Sequence, residues 1–209
     1  KLEAELAAMK KEFLAACSRL TEIRKQTASE LEAKITAELV DLNFADARLE
    51  IAVSPLSAPT ENGMDSVEIL ISTNRGEPLK PLAKTASGGE MSRIMLAFKN
   101  IISSCDGIPT LIFDEIDAGI SGITASIVGR KLKEIARHHQ VICITHLPQI
   151  AACADNSYRI FKETRGEQTF TSIQKLNEEE KISEIARLLG GATITDTTLA
   201  SARELIENS

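Results

Sequence analysis

Two short apolar runs, Thr110 to Phe113 ("TLIF") and Val141 to Thr145 ("VICIT"), bracket a stretch from Ile123 to His139 in which Ile127, Leu132 and Ile135 recur at helical spacing. A strand, a helix and a strand at this separation form a βαβ unit with parallel strands, because the connection must cross the sheet before the second strand begins. Apolar residues throughout each run, without alternation, mark strands buried in such a sheet. Both runs stop abruptly in polar residues, the first in Asp114 and Glu115, the second in His146. Ligands of open parallel sheets gather where the strands end, so these three side chains are expected at one sheet edge.

Ahead of this unit lies "TASGGEMSR", Thr85 to Arg93, followed by Ile94, Met95, Phe98, Ile101 and Ile102 at helical spacing. Gly88, Gly89 and Glu90 therefore fall at a helix N-terminus. Two readings of the paired glycines stand side by side. Mechanically, they allow a left-handed turn or let another group approach their backbone closely; chemically, they bare unpaired N–H groups and the positive end of the helix dipole to an anion.

At 209 residues the chain suits one globular domain with an extension. Its 24 basic and 30 acidic residues leave a net charge of −6, which argues against a surface built mainly to neutralise phosphates along nucleic acid. Aromatic residues make up 3 % of the chain and tryptophan is absent, so platforms for stacking bases are scarce. Cys17, Cys105, Cys143 and Cys153 have no Cys-x-x-Cys spacing, which points to free thiols in a reducing compartment and to no zinc site. No apolar run is long enough to cross a bilayer, and the N-terminus lacks a signal-peptide layout. The expectation is a cytoplasmic protein without a membrane partner. The sequence starts without Met inside a helical pattern, so it reads as a piece of something longer.

That pattern places Leu2, Leu6, Met9, Phe13, Ala16, Leu20 and Ile23 in alternating steps of four and three, a heptad seam, then steps by four through Thr27, Leu31, Ile35 and Leu39. Either a coiled coil runs into a helix that docks on a globular body, or the whole is an ordinary amphipathic helix. Phe44 to Val53 and Val67 to Ser72 read as an antiparallel pair, with "SPLSAPTENGMD" a loop between them. Tyr158 to Phe161 and Thr169 to Ile173 form a hairpin. Asn177 and Glu180 cap a helix that ends at Gly190 and Gly191, and a last helix runs from Asp196 to Glu207. Arg130, Lys131, Lys133 and Arg137 make a basic face, read as solvated helix charge.

An apolar strand ending in Asp-Glu suits nucleotide hydrolysis, in which the aspartate holds Mg²⁺ directly or through water and the glutamate positions the attacking water. His146 is suited to a hydrogen bond with a γ-phosphate. "SGGE" (87–90), "TLIFDE" (110–115), "IDAGIS" (116–121) and "ITH" (144–146) resemble, in order and spacing, the signature motif, Walker B strand, D-loop and switch histidine of ABC-type ATPase heads. The longer strings "ASGGEMSRIMLAFK", "THLPQIAACAD" and "EIARLLGG" are similar to SMC-like bacterial DNA repair ATPases.

The resemblance implies an α/β fold, the C-terminal lobe of an ABC/SMC-type P-loop ATPase head with a parallel sheet. A long coiled-coil-like helix precedes it: residues 1–43 would be the returning coiled-coil helix and 44–209 half of the head. It further implies ATP and Mg²⁺ as cofactors, with Glu115 as general base, Asp114 beside the metal and His146 sensing the γ-phosphate. Ser87, Gly88, Gly89, Glu90, Asp117 and Ser121 would complete the ATP site, the glycines open to nucleotide held by a second head and Asp117 and Ser121 at the head–head interface. Arg93 would brace the signature helix. The implied partners are the chain's own missing N-terminal half, a second head in an ATP-dependent homodimer, and DNA during double-strand break repair and recombination, in the bacterial nucleoid. One departure stands out: no Gly-x-x-x-x-Gly-Lys-Ser/Thr occurs. The phosphate loop and Q-loop would lie in the missing half, so this chain alone would be inactive. Two other readings remain, the head of another SMC-like protein in chromosome organisation or nuclease control, and a non-catalytic DNA-binding or interaction module.

Overall fold

A computed structural model of the chain describes residues 1–84, 88–103, 105–165, 168–191 and 193–209. Its contacts group it into two compact units, Lys1–Ser87 and Gly88–Ser209.

In the first unit, helix α1 (Leu2–Asp41) is uninterrupted, as a run of Leu, Ala, Glu and Lys without Gly or Pro favours. At 1.5 Å per residue it is about 60 Å long. Its two halves have different surroundings. Every residue from 1 to 16 is exposed, so the heptad positions Leu2, Leu6, Met9 and Phe13 face solvent. Further on a second stripe turns inward, and Cys17, Ala28, Ile35 and Leu39 are buried while Ile23 of the heptad stays half exposed. The helix meets its own unit from Cys17 onward, about two turns before the step changes.

The docking surface is an antiparallel sheet of β1 (Arg48–Thr60), β2 (Gly63–Ser72) and β3 (Lys80–Pro81), in that order. The strands run through the stretch expected to be a loop: Ser54 pairs with Ser66, Pro55 with Asp65 and Thr60 with Gly63, leaving only Glu61 and Asn62 as the turn. Pro55 is tolerated because β1 is an edge strand, where a missing N–H breaks no inner ladder, and the register shifts between Pro55 and Thr60. Gly63 has φ of 98°, open only to glycine at little cost, and a Cβ there would come within 3.1 Å of Leu20 Cδ2. Next to it the Asp65 carboxylate, 4 % exposed, accepts from Thr21 Oγ1 at 2.8 Å and Arg24 Nη1 at 3.1 Å. Arg24 Nη2 also donates to Asn62 O at 2.8 Å. Glu32 Oε1 accepts the Ile51 N–H at 2.6 Å. Polar anchors therefore fix where along α1 the sheet sits, while the apolar stripe supplies the burial.

The second unit starts with α2 (Gly88–Ile102), whose Ile94, Leu96, Ala97 and Phe98 are buried. β4 (Thr110–Phe113) and β5 (Gln140–Cys143) pair in parallel, Thr110 with Gln140 through Phe113 with Cys143, and are linked by α3 (Gly122–Ile135). This is the βαβ unit read from the sequence. Only one face of the pair is covered: Leu111 and Phe113 are buried, but Ile112 is 68 % exposed and Ile142 and Ile144, on the same face, about half exposed. That departs from strands buried on both sides. α3 lies close against α4 (Pro148–Ala152), where a Cβ on Gly129 would be 2.6 Å from Cys153 Sγ. The hairpin β6 (Tyr158–Arg165) and β7 (Gln168–Lys175) follows, each strand longer than the sequence suggested. In α5 (Glu178–Gly190) both halves of the Asn177/Glu180 capping box are formed, and Gly191 stops the helix with φ of 79°. α6 (Asp196–Glu207) packs Ala202 against Ala152, Ile185 and Ala186.

Asp65→Ala removes the acceptor shared by Thr21 and Arg24 and should cost about 2 kcal/mol. Native-state hydrogen exchange of the α1 and β2 amides should then speed up roughly thirtyfold relative to the wild type. Unchanged exchange there would show that the apolar stripe alone holds the helix.

Candidate functional site

The polar ends of β4 and β5 exit at the same edge, because Phe113 pairs with Cys143 and Ile144 N donates to Phe113 O at 3.0 Å. The segment after β4, residues 114–118, is tied to the first turns of α2. Ser92 Oγ donates to Asp114 O at 2.7 Å. The buried Arg93 donates through Nη1 to Ala118 O at 2.7 Å and Ile116 O at 3.3 Å. Burial pulls the Arg93 guanidinium below its usual pKa, opposed by the charge of Glu90. The brace expected of Arg93 is present, and it holds the neighbouring loop as well as the helix.

Gly89 completes this contact. Neither Gly88 nor Gly89 has positive φ, so no left-handed turn requires them, and it is the close approach of their own chain that does. A Cβ on Gly89 would lie 2.8 Å from both Ala118 Cβ and Glu115 O, so the space beside it is filled by its own chain. A Cβ on Gly88 would meet Glu115 Oε2 at 2.5 Å. The Glu115 carboxylate thus lies over the start of α2, near the positive end of its dipole. Glu115 itself has φ of 55° and is exposed, an uncommon backbone state for glutamate and one that clusters at functional positions. Its N–H donates to Asp114 Oδ1 at 2.9 Å, and Ala118 N closes a turn onto Glu115 O at 3.0 Å. Asp114 is exposed at the strand end.

Asp117 departs from the surface position expected of it. Its carboxylate is 4 % exposed and faces the end of β5: Oδ2 accepts from Thr145 Oγ1 at 2.5 Å and the His146 N–H at 2.8 Å, and lies 2.9 Å from His146 Nδ1. Burial alone would raise its pKa, but those hydrogen bonds and the nearby imidazole hold it below the usual carboxylate range. These three contacts all fall on Oδ2 and tie the carboxylate to the end of β5. His146 is 73 % exposed. Thr145, which sequence reasoning passed over, is the hydroxyl that joins the two; its only sequence signal is its place directly before the histidine.

Of the remaining expected residues, Ser121 is exposed as the residue before α3 and its carbonyl accepts from Ala125 N at 2.9 Å. Glu90 is half-buried in the first turn of α2. Ser87 lies outside the described residues. Burial, then the charges of Asp117 and Asp114, push the Cys143 thiol up to about 12, so the strand edge carries a negative field and an unreactive cysteine. Among the described residues no three His, Cys, Asp or Glu side chains gather as a metal cage. A lone exposed Asp114 with one oxygen left over still fits Mg²⁺, which keeps several waters and takes one or two carboxylates together with substrate phosphates. On and just after α3, Arg130, Lys133 and Arg137 are exposed as expected of solvated charge, but Lys131 is buried. No helix among the described residues is long and apolar enough to cross a membrane.

No family model matches the chain. Curated relatives do: the DNA repair protein RecN of Vibrio cholerae is 43 % identical over 206 residues, 98 % of this chain and 37 % of that protein. RecN of Bacillus subtilis is 40 % identical over 223 residues, 100 % of this chain and 39 % of its own length. The chain thus spans little more than a third of the relatives it matches and is homologous to their C-terminal part. Among solved structures, the Smc head domain with coiled coil and joint from Pyrococcus yayanosii aligns with a TM-score of 0.61 at 23 % identity, over 88 % of this chain and 34 % of that one. The Smc head with extended coiled coil from Pyrococcus furiosus, bound to the C-terminal domain of ScpA, gives 0.56 at 24 %, over 89 % and 45 %. The chain has the fold of part of an SMC head.

Gly89→Val must push the 115–118 segment away and should destabilise the protein by about 1–3 kcal/mol, the usual cost of overpacking. Gly88→Ala, which meets only the end of a flexible glutamate side chain, should cost far less. Melting curves check both; a Gly89→Val curve superimposed on the wild type would mean that the glycine is bare for some other group's sake.

Proposed function

We propose that this chain, homologous over nearly its whole length to the C-terminal part of the RecN DNA repair proteins, is half of an ATPase head that acts in DNA double-strand break repair and recombination. The observation that supports this most directly is the convergence of Asp114, Glu115 and His146 at one edge of a parallel strand pair, with α2 anchored beside them. In this reading residues 1–43 are the returning arm of a coiled coil and 44–209 the half-head.

Bound Mg²⁺·ATP would supply the scissile phosphate and the charge neutralisation. Asp114 is the carboxylate suited to the metal. Glu115, already exposed and held by an unusual backbone turn, accepts the proton of the attacking water. The exposed ring of His146 would contact the γ-phosphate. Ser87, Gly88, Gly89, Glu90 and Ser121 form the surface met by nucleotide on a second head, in an ATP-dependent homodimer that engages DNA.

The phosphate loop belongs to the N-terminal half of the parent chain. Its docking place is the bare face of Ile112, Ile142 and Ile144, since parallel sheets are stable with both faces covered. Covering Ile112 is worth about 2 kcal/mol, and the half-exposed Ile142 and Ile144 about 1 kcal/mol each. The exposed seam of Leu2, Leu6, Met9 and Phe13 is suited to the outgoing arm of the same coiled coil. The relatives' greater length leaves ample chain for both. The place of action is the bacterial cytoplasm, at the nucleoid.

Two measurements test the reading. The chain alone should turn over no ATP; turnover above that of Glu115→Gln in the isolated chain would sink the half-head reading. Joined to the N-terminal half, Glu115→Gln should slow hydrolysis by about 10²–10⁴-fold, the effect of losing a general base, while ATP still binds and dimers accumulate in size-exclusion chromatography. Hydrolysis at the wild-type rate would assign the base elsewhere.

A further inference from the structure

We propose that Asp117 is a positioning residue that fixes the tautomer and orientation of His146, keeping the proton on Nδ1 and turning Nε2 outward at the strand edge. A carboxylate only accepts hydrogen bonds. With Asp117 Oδ2 at 2.9 Å from His146 Nδ1, a bare Nδ1 would set its lone pair against the carboxylate, so the close ion contact favours the proton on Nδ1. The neutral ring then presents a lone pair at Nε2, and the protonated ring presents an N–H there. Free histidine favours the opposite neutral tautomer, with the proton on Nε2, so the assignment is a departure that the carboxylate imposes.

The geometry fixes more than the ring. The same oxygen takes the His146 backbone N–H at 2.8 Å and Thr145 Oγ1 at 2.5 Å, so main chain and side chain are anchored at one point. Thr145 Oγ1 in turn accepts the Leu147 N–H at 3.1 Å, which sets the chain's exit from the strand. The anchor is buried and the ring it holds is 73 % exposed, the arrangement of a group presented to a ligand by an inner partner. Asp117 also sits between the two carbonyls that Arg93 grips, Ile116 O and Ala118 O. The position of α2 is therefore passed to the imidazole through a single short loop.

The catalytic consequence rests on the ATPase reading above, whereas the tautomer does not. The chain has three histidines, His138, His139 and His146. With ring ¹⁵N labels, a long-range ¹H–¹⁵N spectrum taken above the imidazole titration separates the tautomers, and His146→Gln identifies the signals. Wild-type His146 is expected with Nδ1 protonated and Nε2 bare; the reverse pattern overturns the proposal whether or not any variant folds. Asp117→Asn, folded by circular dichroism, should move His146 toward the Nε2–H form, and an unchanged pattern also overturns it. Thr145→Val, which leaves the Nδ1 contact in place, should keep the wild-type tautomer. In the head rejoined to its N-terminal half, Asp117→Asn should lower kcat by about 10–100-fold, as losing an orienting partner does. In a His146→Ala background it should cost nothing further, and full additivity of the two losses overturns the positioning role. Absence of ATPase activity in the rejoined wild type would strike the proposed function and leave the tautomer result standing.

Discussion

The loop from Asp114 to Ala118 is fixed by α2, and every other feature of the site depends on that attachment. Successive carbonyls on one side of the loop, those of Asp114, Ile116 and Ala118, take donors from Ser92 and Arg93. A loop has no ladder to satisfy these groups, and leaving them unpaired beside a packed helix would cost about 1–3 kcal/mol each. One guanidinium nitrogen, Nη1, reaches two of them, because it carries two N–H donors. Gly89 lets the backbones close to the distance at which those bonds form. The clamp thus explains why a glycine and an arginine stand one helical turn apart at the start of α2.

Held this way, the loop divides its carboxylates by environment. Asp114 and Glu115 face solvent at the strand end, where negative charge is hydrated and available to a cation or a water molecule. Asp117 turns inward, and its charge is compensated by the donors from Thr145 and His146. Were all three exposed together, their mutual repulsion would work against each being ionised. Separating them leaves two exposed at the strand edge while the third takes donors from Thr145 and His146 at the end of the neighbouring strand.

Periodicity made most of this legible. β4, β5, the helix between them and the capped α5 stand where apolar spacing and turn residues put them, because each signal is local. The β1–β2 stretch from Ser54 to Asp65 was not legible: its Pro and Ser residues look like a loop, and on an exposed edge strand no apolar alternation marks the pairing. Nor could the sequence tell that Lys131 is buried, although it falls three residues after Val128 and four before Ile135 on a buried stripe. Asp117 was read by its motif as a surface residue. Its direction is set by the turn at Glu115 and by Gly119 with φ of 73°, which sequence spacing does not encode.

The paired glycines show how a motif and its local cause can differ. Their neighbourhood in this chain is fully occupied by Glu115 and Ala118, so packing alone is enough to require glycine at 89, and to favour it at 88. A nucleotide on a second head would then meet a surface already shaped by the contact between α2 and the loop. The two demands do not compete: the backbone that comes close to its own chain on one side is exposed on the other at Gly88. The start of α2 and the His146 end of β5 are thus joined by a continuous series of contacts through Arg93, the 116–118 loop and Asp117.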